Sequence, residues 1–168
     1  MRTDGAQHDG NVGAVIEIVT AVVINAPIET VFDLARDPRI HAQATAWTSE
    51  KVIECTTDGL LTEGDVVTFE ARHLGVRQRL TSKVMRCDRP NVLVDKALKG
   101  AFRSLIHEHL FEVVPKGTQM TDRLVIVAPL GPLGWIAERI FLARYMRHFL
   151  IRKNRHFLQI VEEAYAPK

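Results

Sequence analysis

The strongest constraint on the fold is a pair of alternating, apolar-rich segments on either side of the turn Pro-Lys-Gly-Thr at residues 115–118. Pro and Gly between two such segments predict a β-hairpin. A two-residue Lys116–Gly117 loop pairs Val113 with Met120, Phe111 with Asp122, His109 with Leu124 and His107 with Ile126. Because side chains alternate across a strand, these eight residues share one face, and the opposite face holds most of the charge. The first face is therefore predicted to point into the protein.

This inward face is apolar except for His107, His109 and Asp122. An unpaired charge is costly in a dry core, so three titratable groups on a buried face favour a pocket wall. His109 and Asp122 are expected to be diagonal neighbours, and a carboxylate beside an imidazole fixes its tautomer for acid–base chemistry. A satisfied polar cluster that positions the strands or lines a wet pocket is the more economical interpretation. The same three residues could ligate a metal, but His-x-His on a strand is a weak signal, and no metal site is predicted.

The rest of the chain predicts further strands and three helices. Residues 15–25 are β-branched, and Pro27 and Pro38 each begin a short helix, the second ending near Ala44. Strands are predicted at 47–56, 66–74, 76–86 and 92–98 before the hairpin. At residues 129–134 the period changes from two to three or four, which predicts one long helix from near Leu133 to about Ala164. We expect an α+β fold: a curved antiparallel seven-stranded sheet wrapped on a long C-terminal helix, with two short helices after strand 1 and a space between sheet and helix.

Composition limits the possible functions. Of the 168 residues 46% are hydrophobic and 25% charged, and the net charge of +2 is too small to argue for nucleic acid. We expect residues 15–168 to form one domain and residues 1–14 to be a disordered leader.

Cys55 and Cys87 form no Cys-x-x-Cys motif, so free thiols and a cytoplasmic location are expected. The sequence has no phosphate-binding glycine loop and no Gly-x-Ser-x-Gly motif, and no cofactor is predicted.

Several motifs occur in a recognisable order. They are Ala-Pro-Ile-Glu at 26–29, Val31-Phe32, Asp37-Pro38, GLLTEGD at 59–65, Asp95, GAFR at 100–103, His107-Glu108-His109, Phe111, Gly117-Thr118, Asp122 and PLGPLG at 129–134. Over residues 15–163 the chain resembles the START-like, or SRPBCC, helix-grip superfamily, and its motifs look like the bacterial ligand-binding or polyketide cyclase/dehydrase-like branch. The resemblance implies an internal cavity for an apolar or aromatic small molecule. Ala97, Ala101 and Leu105 depart from the branch pattern, so the ligand is not fixed.

The predicted function is binding of a small hydrophobic or aromatic molecule, lipid- or polyketide-like, by a carrier or sensor. The predicted ligand-contacting residues are Trp47, Phe69, His73, Leu80, His107, His109, Phe111, Asp122, Leu124, Trp135 and Ile140. Phe69, Ala71 and His73 share one strand face, and Leu80, Ser82 and Val84 share another. The alternative is a cyclase or dehydratase in which His109 moves a proton and Asp122 orients it.

A third class is a module that docks on a protein or membrane surface. The last helix carries six basic residues on its polar side: Arg139, Arg144, Arg147, Arg152, Lys153 and Arg155. A charged helix face is usually solvated, so no nucleic acid partner and no stable membrane insertion are predicted, and a homodimer remains open.

Overall fold

The computed structural model describes residues 15–127 and 135–165. The strands are β1 (Val15–Ile24), β2 (Lys51–Cys55), β3 (Val66–His73), β4 (Val76–Asp88), β5 (Val92–Lys99), β6 (Ser104–Val114) and β7 (Gly117–Val127). The helices are α1 (Ile28–Ala35), α2 (Pro38–Ala44) and α3 (Trp135–Tyr165), with a short 3₁₀ turn at Ala46–Thr48. Three predicted features lie outside the described residues: the leader at 1–14, the change of period at 129–134 and the helix start near Leu133.

The seven strands form one antiparallel sheet in the order β1-β7-β6-β5-β4-β3-β2. Only the β1–β7 pairing joins strands that are distant in sequence, and α1 and α2 lie in the connection from β1 to β2. Helix α3 packs against β1 and α2 and covers the inner face of the sheet. The predicted α+β helix-grip architecture is confirmed.

The hairpin register differs from the prediction by two residues. Val114 pairs with Gly117, so the loop is Pro115–Lys116 and Gly117 is already the first residue of β7. A shift of two residues preserves the alternation, and the predicted inner face is therefore buried. Val113 is the exception, because it lies next to the turn and is 74% exposed. The register places His109 directly opposite Asp122, not diagonal to it.

The segment predicted as a strand at 47–56 is only partly extended. Residues 46–48 continue the chain from α2 as a 3₁₀ turn, in which the Thr48 hydroxyl donates to the Thr45 carbonyl. Ser49 then adopts a left-handed conformation, with φ of 56°, and the strand begins at Lys51. The turn is not evident from the sequence because its β-branched and aromatic residues also suit a strand.

Buried polar side chains separate two apolar clusters. One cluster is centred on Phe32, Phe111 and Phe157, and the other on Leu105, Ile126 and Leu150. Between them lies what we call the polar layer: Thr20 of β1, His107 and His109 of β6, Asp122 of β7, and Lys153 and Asn154 of α3. Buried polar groups are costly unless they are bonded, so this layer indicates where the fold departs from a simple apolar core.

Candidate functional site

A cavity of about 240 Å³ lies between the sheet and α3. Most of its wall is apolar, with Phe69 of β3, Phe102 of the loop before β6 and Phe149 of α3 among the aromatic side chains. The volume is somewhat below the roughly 300–1,000 Å³ of pockets for drug-sized ligands. The cavity therefore suits a compact apolar or aromatic molecule.

His107 and His109 form part of the polar end of this cavity, and both contact Asp122 behind them. Nε2 of His107 lies 2.9 Å from Oδ1 of Asp122. Nδ1 of His109 lies 2.5 Å from the same oxygen. Because an ionised carboxylate only accepts, Nε2 of His107 carries the proton and Nδ1 of His107 remains an acceptor. Asp122 therefore contacts both imidazoles through one oxygen.

Asp122 is fully buried, and α3 supplies its second partner. Nδ2 of Asn154 donates to Oδ2 of Asp122 at 2.5 Å and to Oγ1 of Thr20 at 3.2 Å. These two bonds tie α3 to β1 and β7 through the side-chain amide of Asn154. It leaves Oδ1 of Asn154 without a hydrogen bond among the described residues.

Burial and neighbouring charges set the charge states of His107 and Asp122. Burial is the main cause that lowers the pKa of His107 to about 4, with further lowering by His109 and Lys153 and a smaller opposing effect of Asp122. Burial alone would raise the pKa of Asp122, but the charges of His109 and Lys153 and the histidine contacts hold it well below its usual value. At neutral pH the pair is therefore a neutral imidazole and a carboxylate.

This arrangement predicts acid sensitivity. Between pH 6.5 and about 4 the unfolded chain binds a proton at His107 that the folded protein excludes, so the free energy of unfolding rises with pH. The contribution of His107 is fully present above pH 6.5, and about 3 kcal/mol is lost as the pH falls to 4. We expect His107→Gln to flatten this part of the stability–pH curve in urea unfolding. His148→Gln, at an exposed site on α3, should leave the curve unchanged, and an equally steep curve for both variants would contradict the assignment.

Lys153 is a cavity residue, in contrast to its predicted place on a solvated basic face. It is 5% exposed and lines the cavity. Its ammonium lies near enough to Glu50, His107 and Asp122 to lower the pKa of each. Among the residues that the structure describes, it forms no ion pair and no hydrogen bond.

Two further polar pairs line the cavity. Nε2 of His41 lies 3.1 Å from Oε1 of Glu50; burial would raise the pKa of Glu50, but His41, Lys153 and His73 lower it overall. Nδ1 of His73 lies 2.7 Å from the Tyr145 hydroxyl, and burial lowers the pKa of His73 while Glu50 opposes the shift. Each of these pairs is bonded internally.

Asp95 of β5 pairs with His107 in the sheet register and faces the same cavity. One donor atom from each of Asp95, His107 and His109 lies within 4.8 Å of the others, a ligand set that zinc accepts. The carboxylate in this set is Asp95, not the Asp122 considered from the sequence. The nearby positive charge of Lys153 opposes a divalent cation, so we interpret the cluster as a polar wall.

The structure brings together six of the eleven predicted ligand-contacting residues on the cavity wall. These are Phe69, His73, Leu80, His107, His109 and Leu124, together with the predicted wall residues Ala71, Ser82 and Val84.

Four of the other predicted residues lie off the wall. Phe111 packs edge-on against Phe32 in the first apolar cluster, and Asp122 lies behind the histidines. Trp47 packs on Phe149 and His156, with the Arg152 guanidinium 4.5 Å from its ring centroid. Ile140 is 57% exposed, because this part of α3 turns it away from the sheet. The side chain of Trp135 lies outside the described residues.

The helical spacing of α3 predicts that Lys153 and Asn154 are buried. Leu150, Lys153, Asn154 and Phe157 follow the i, i+3, i+4, i+7 spacing of one helix face, and all four are buried. Charge alone assigns Lys153 to the surface, whereas its position in this spacing assigns it to the interior. Glu50 and Tyr145 were also missed, since neither belongs to a periodic pattern with the predicted wall.

The seven-stranded sheet, the long C-terminal helix and the cavity between them define a helix-grip domain. The family model for polyketide cyclase / dehydrase and lipid transport matches residues 15–156, and the chain belongs to this family. No curated protein matches the sequence. None of the helices in the described ranges combines the length and hydrophobicity needed to cross a membrane.

Solved structures share the fold at low sequence identity. TTHA0849 from Thermus thermophilus is 16% identical, with a TM-score of 0.72 over 91% of this chain and 100% of that chain. The Zhui aromatase/cyclase from Streptomyces sp. R1128 is 16% identical, with a TM-score of 0.72 over 91% and 98%. Major latex-like protein 151 from Panax ginseng is 14% identical, with a TM-score of 0.62 over 92% and 100%. These similarities concern the fold.

Proposed function

We propose that this protein binds a small apolar or aromatic molecule in its internal cavity and acts as a carrier or sensor. The observation that carries the proposal is the cavity itself, about 240 Å³ with a largely apolar wall. Side chains from β3 to β7 and from α3 converge on it, so the fold leaves the space open in the middle of the domain. An apolar ligand that fills it gains free energy by leaving water.

A cavity-filling substitution tests the proposal. Ala71 is buried on β3 and lines the cavity, whereas Ala21 is exposed on the outer face of β1. We expect two-ring aromatic compounds such as 2-naphthol to bind the wild-type protein in isothermal titration calorimetry. Ala71→Trp should weaken binding by at least about tenfold, because the indole occupies the ligand's space. Ala21→Trp adds the same side chain elsewhere and should bind normally; equal binding by both variants would place the ligand outside the cavity.

A second candidate function is acid–base catalysis of a cyclase or dehydratase type. It is favoured by the two histidines that face the cavity with Asp122 behind them, and by the family. His109 lines the cavity, and its Nδ1 lies 2.5 Å from Oδ1 of Asp122. In this mechanism His109 exchanges a proton with a bound carbonyl compound, and Asp122 orients the His109 ring.

The two candidates differ in what happens to the bound molecule. A carrier or sensor releases its ligand unchanged, so mass spectrometry after incubation with a polyketide-like carbonyl compound should return the starting mass and retention time. Conversion that disappears in His109→Ala while affinity is retained would favour the enzyme.

The third class, a surface module, is weakened by the burial of Lys153, which removes one of the six basic side chains from the proposed docking face.

A further inference from the structure

The unusual feature of the cavity is a buried cation without a partner. Lys153 is 5% exposed and lines the cavity wall, and it forms no ion pair or hydrogen bond within the described parts of the chain. Removing an ammonium group from water is costly unless an anion or hydrogen-bond acceptors replace the water. The Lys153 side chain is largely buried, but its ammonium keeps access to the cavity and is available to an anion bound there.

None of the three carboxylates near the cavity forms an ion pair with Lys153 within the described residues. Glu50 contacts His41 at 3.1 Å. Asp122 accepts from His107 and Asn154 and contacts His109, and no ion pair joins it to Lys153 within the described residues. Asp95 also lines the cavity, but no ion pair joins it to Lys153. The acceptor that the described residues do not provide can come from a molecule in the cavity.

We infer that the ligand of this cavity is an apolar or aromatic acid, whose carboxylate is bound by the Lys153 ammonium while its rings or alkyl chain contact the apolar wall. The inference rests on the proposed binding function and names its ligand class. The aromatic side chains of Phe69, Phe102 and Phe149 supply the apolar surroundings. A charge-assisted hydrogen bond is about twice as strong as a neutral one.

Two ligands of nearly the same shape, one anionic and one neutral, measure the contribution of the ligand's negative charge to binding. 2-Naphthoate and 2-naphthamide share one ring system and nearly one shape, and only the first is anionic at neutral pH. We expect wild-type protein to bind 2-naphthoate at least about tenfold more tightly than 2-naphthamide in calorimetric titrations. Lys153→Met should remove this preference and leave 2-naphthamide affinity within about twofold. Retained amide binding also shows that the variant is folded.

Two further variants sharpen the test. Lys96→Met makes the same change in net charge at an exposed site on β5, and it should keep the wild-type preference. Asp95→Asn removes a negative charge from the cavity wall, and it should strengthen 2-naphthoate binding and leave the amide unaffected.

The outcomes separate this inference from the binding function. Equal affinities of the wild-type protein for the two compounds would overturn the inference and leave the cavity as a neutral binding site. A preference for the acid that persists in Lys153→Met would also overturn it, because another group would then bind the carboxylate. Binding of neither compound would count against both the inference and the proposed function.

Discussion

Replacing Asp122 with alanine is expected to lower the free energy of unfolding by about 3–5 kcal/mol, one of the largest effects available in this chain. The carboxylate accepts from Nε2 of His107 and Nδ2 of Asn154, and both donors are buried. Without it these donors lose their partner, and the positive charge of Lys153 loses a carboxylate that it interacts with electrostatically. The loss should appear in urea unfolding at pH 7 as a lower midpoint with a similar slope.

Two controls define the origin of this effect. Asp122→Asn preserves the shape and one acceptor, and Asn154 has a free Oδ1 that can accept after an amide flip, so a smaller loss is expected. Asp58→Ala removes an exposed carboxylate and should change stability by no more than about 0.5 kcal/mol. If Asp122→Ala were as stable as Asp58→Ala, the polar layer would not hold α3 to the sheet.

Asp122 contributes both to the stability of the fold and to the arrangement of the cavity wall. The same carboxylate that orients His107 toward the cavity bonds Asn154 on α3, the residue next to Lys153. A change in the polar layer therefore acts on the cavity wall and on the contact between helix and sheet together. For this reason His109→Ala and Lys153→Met, which alter the wall directly, are better functional probes than Asp122 variants.

The architecture was predictable because it depends on periodicity. Alternation along β6 and β7 decides which side chains enter the core, and the three- and four-residue spacing of α3 marks a helix. The inner histidines and Asp122 followed from the same alternation. These features need no knowledge of distant contacts, since each is a property of one segment.

The cavity wall was less predictable because it depends on how α3 is rotated against the sheet. Ile140 and Lys153 both lie on α3, yet the apolar residue is exposed and the charged one is buried. Residue type alone assigns them the opposite way. The pairing of Glu50 with His41 and of His73 with Tyr145 also joins segments distant in sequence, which no local pattern predicts.

The hairpin register was missed for a local reason. Gly after Lys suggests a two-residue turn, but Gly117 is the first residue of β7, with φ of +122°. A Cβ at this position would overlap the Ile24 carbonyl oxygen and lie 3.0 Å from Ala26 N and Asn25 Cα. The glycine is therefore required both by its positive φ and by the close approach of the chain leaving β1.

This close contact predicts that Gly117→Ala lowers the free energy of unfolding by at least about 3 kcal/mol, the sum of backbone strain and overlap with atoms that cannot move aside. Gly75 is the matched control, since its φ is +81° and no atom lies within 4 Å of an added Cβ. Gly75→Ala should cost only about 1–2 kcal/mol, the conformational term alone. Equal losses in the two variants, measured by urea unfolding, would show that the β1 contact does not constrain Gly117. A much larger loss at Gly117 would show that the end of β1 fixes the start of β7, and with it the register that places Asp122 beside Thr20 and opposite His109.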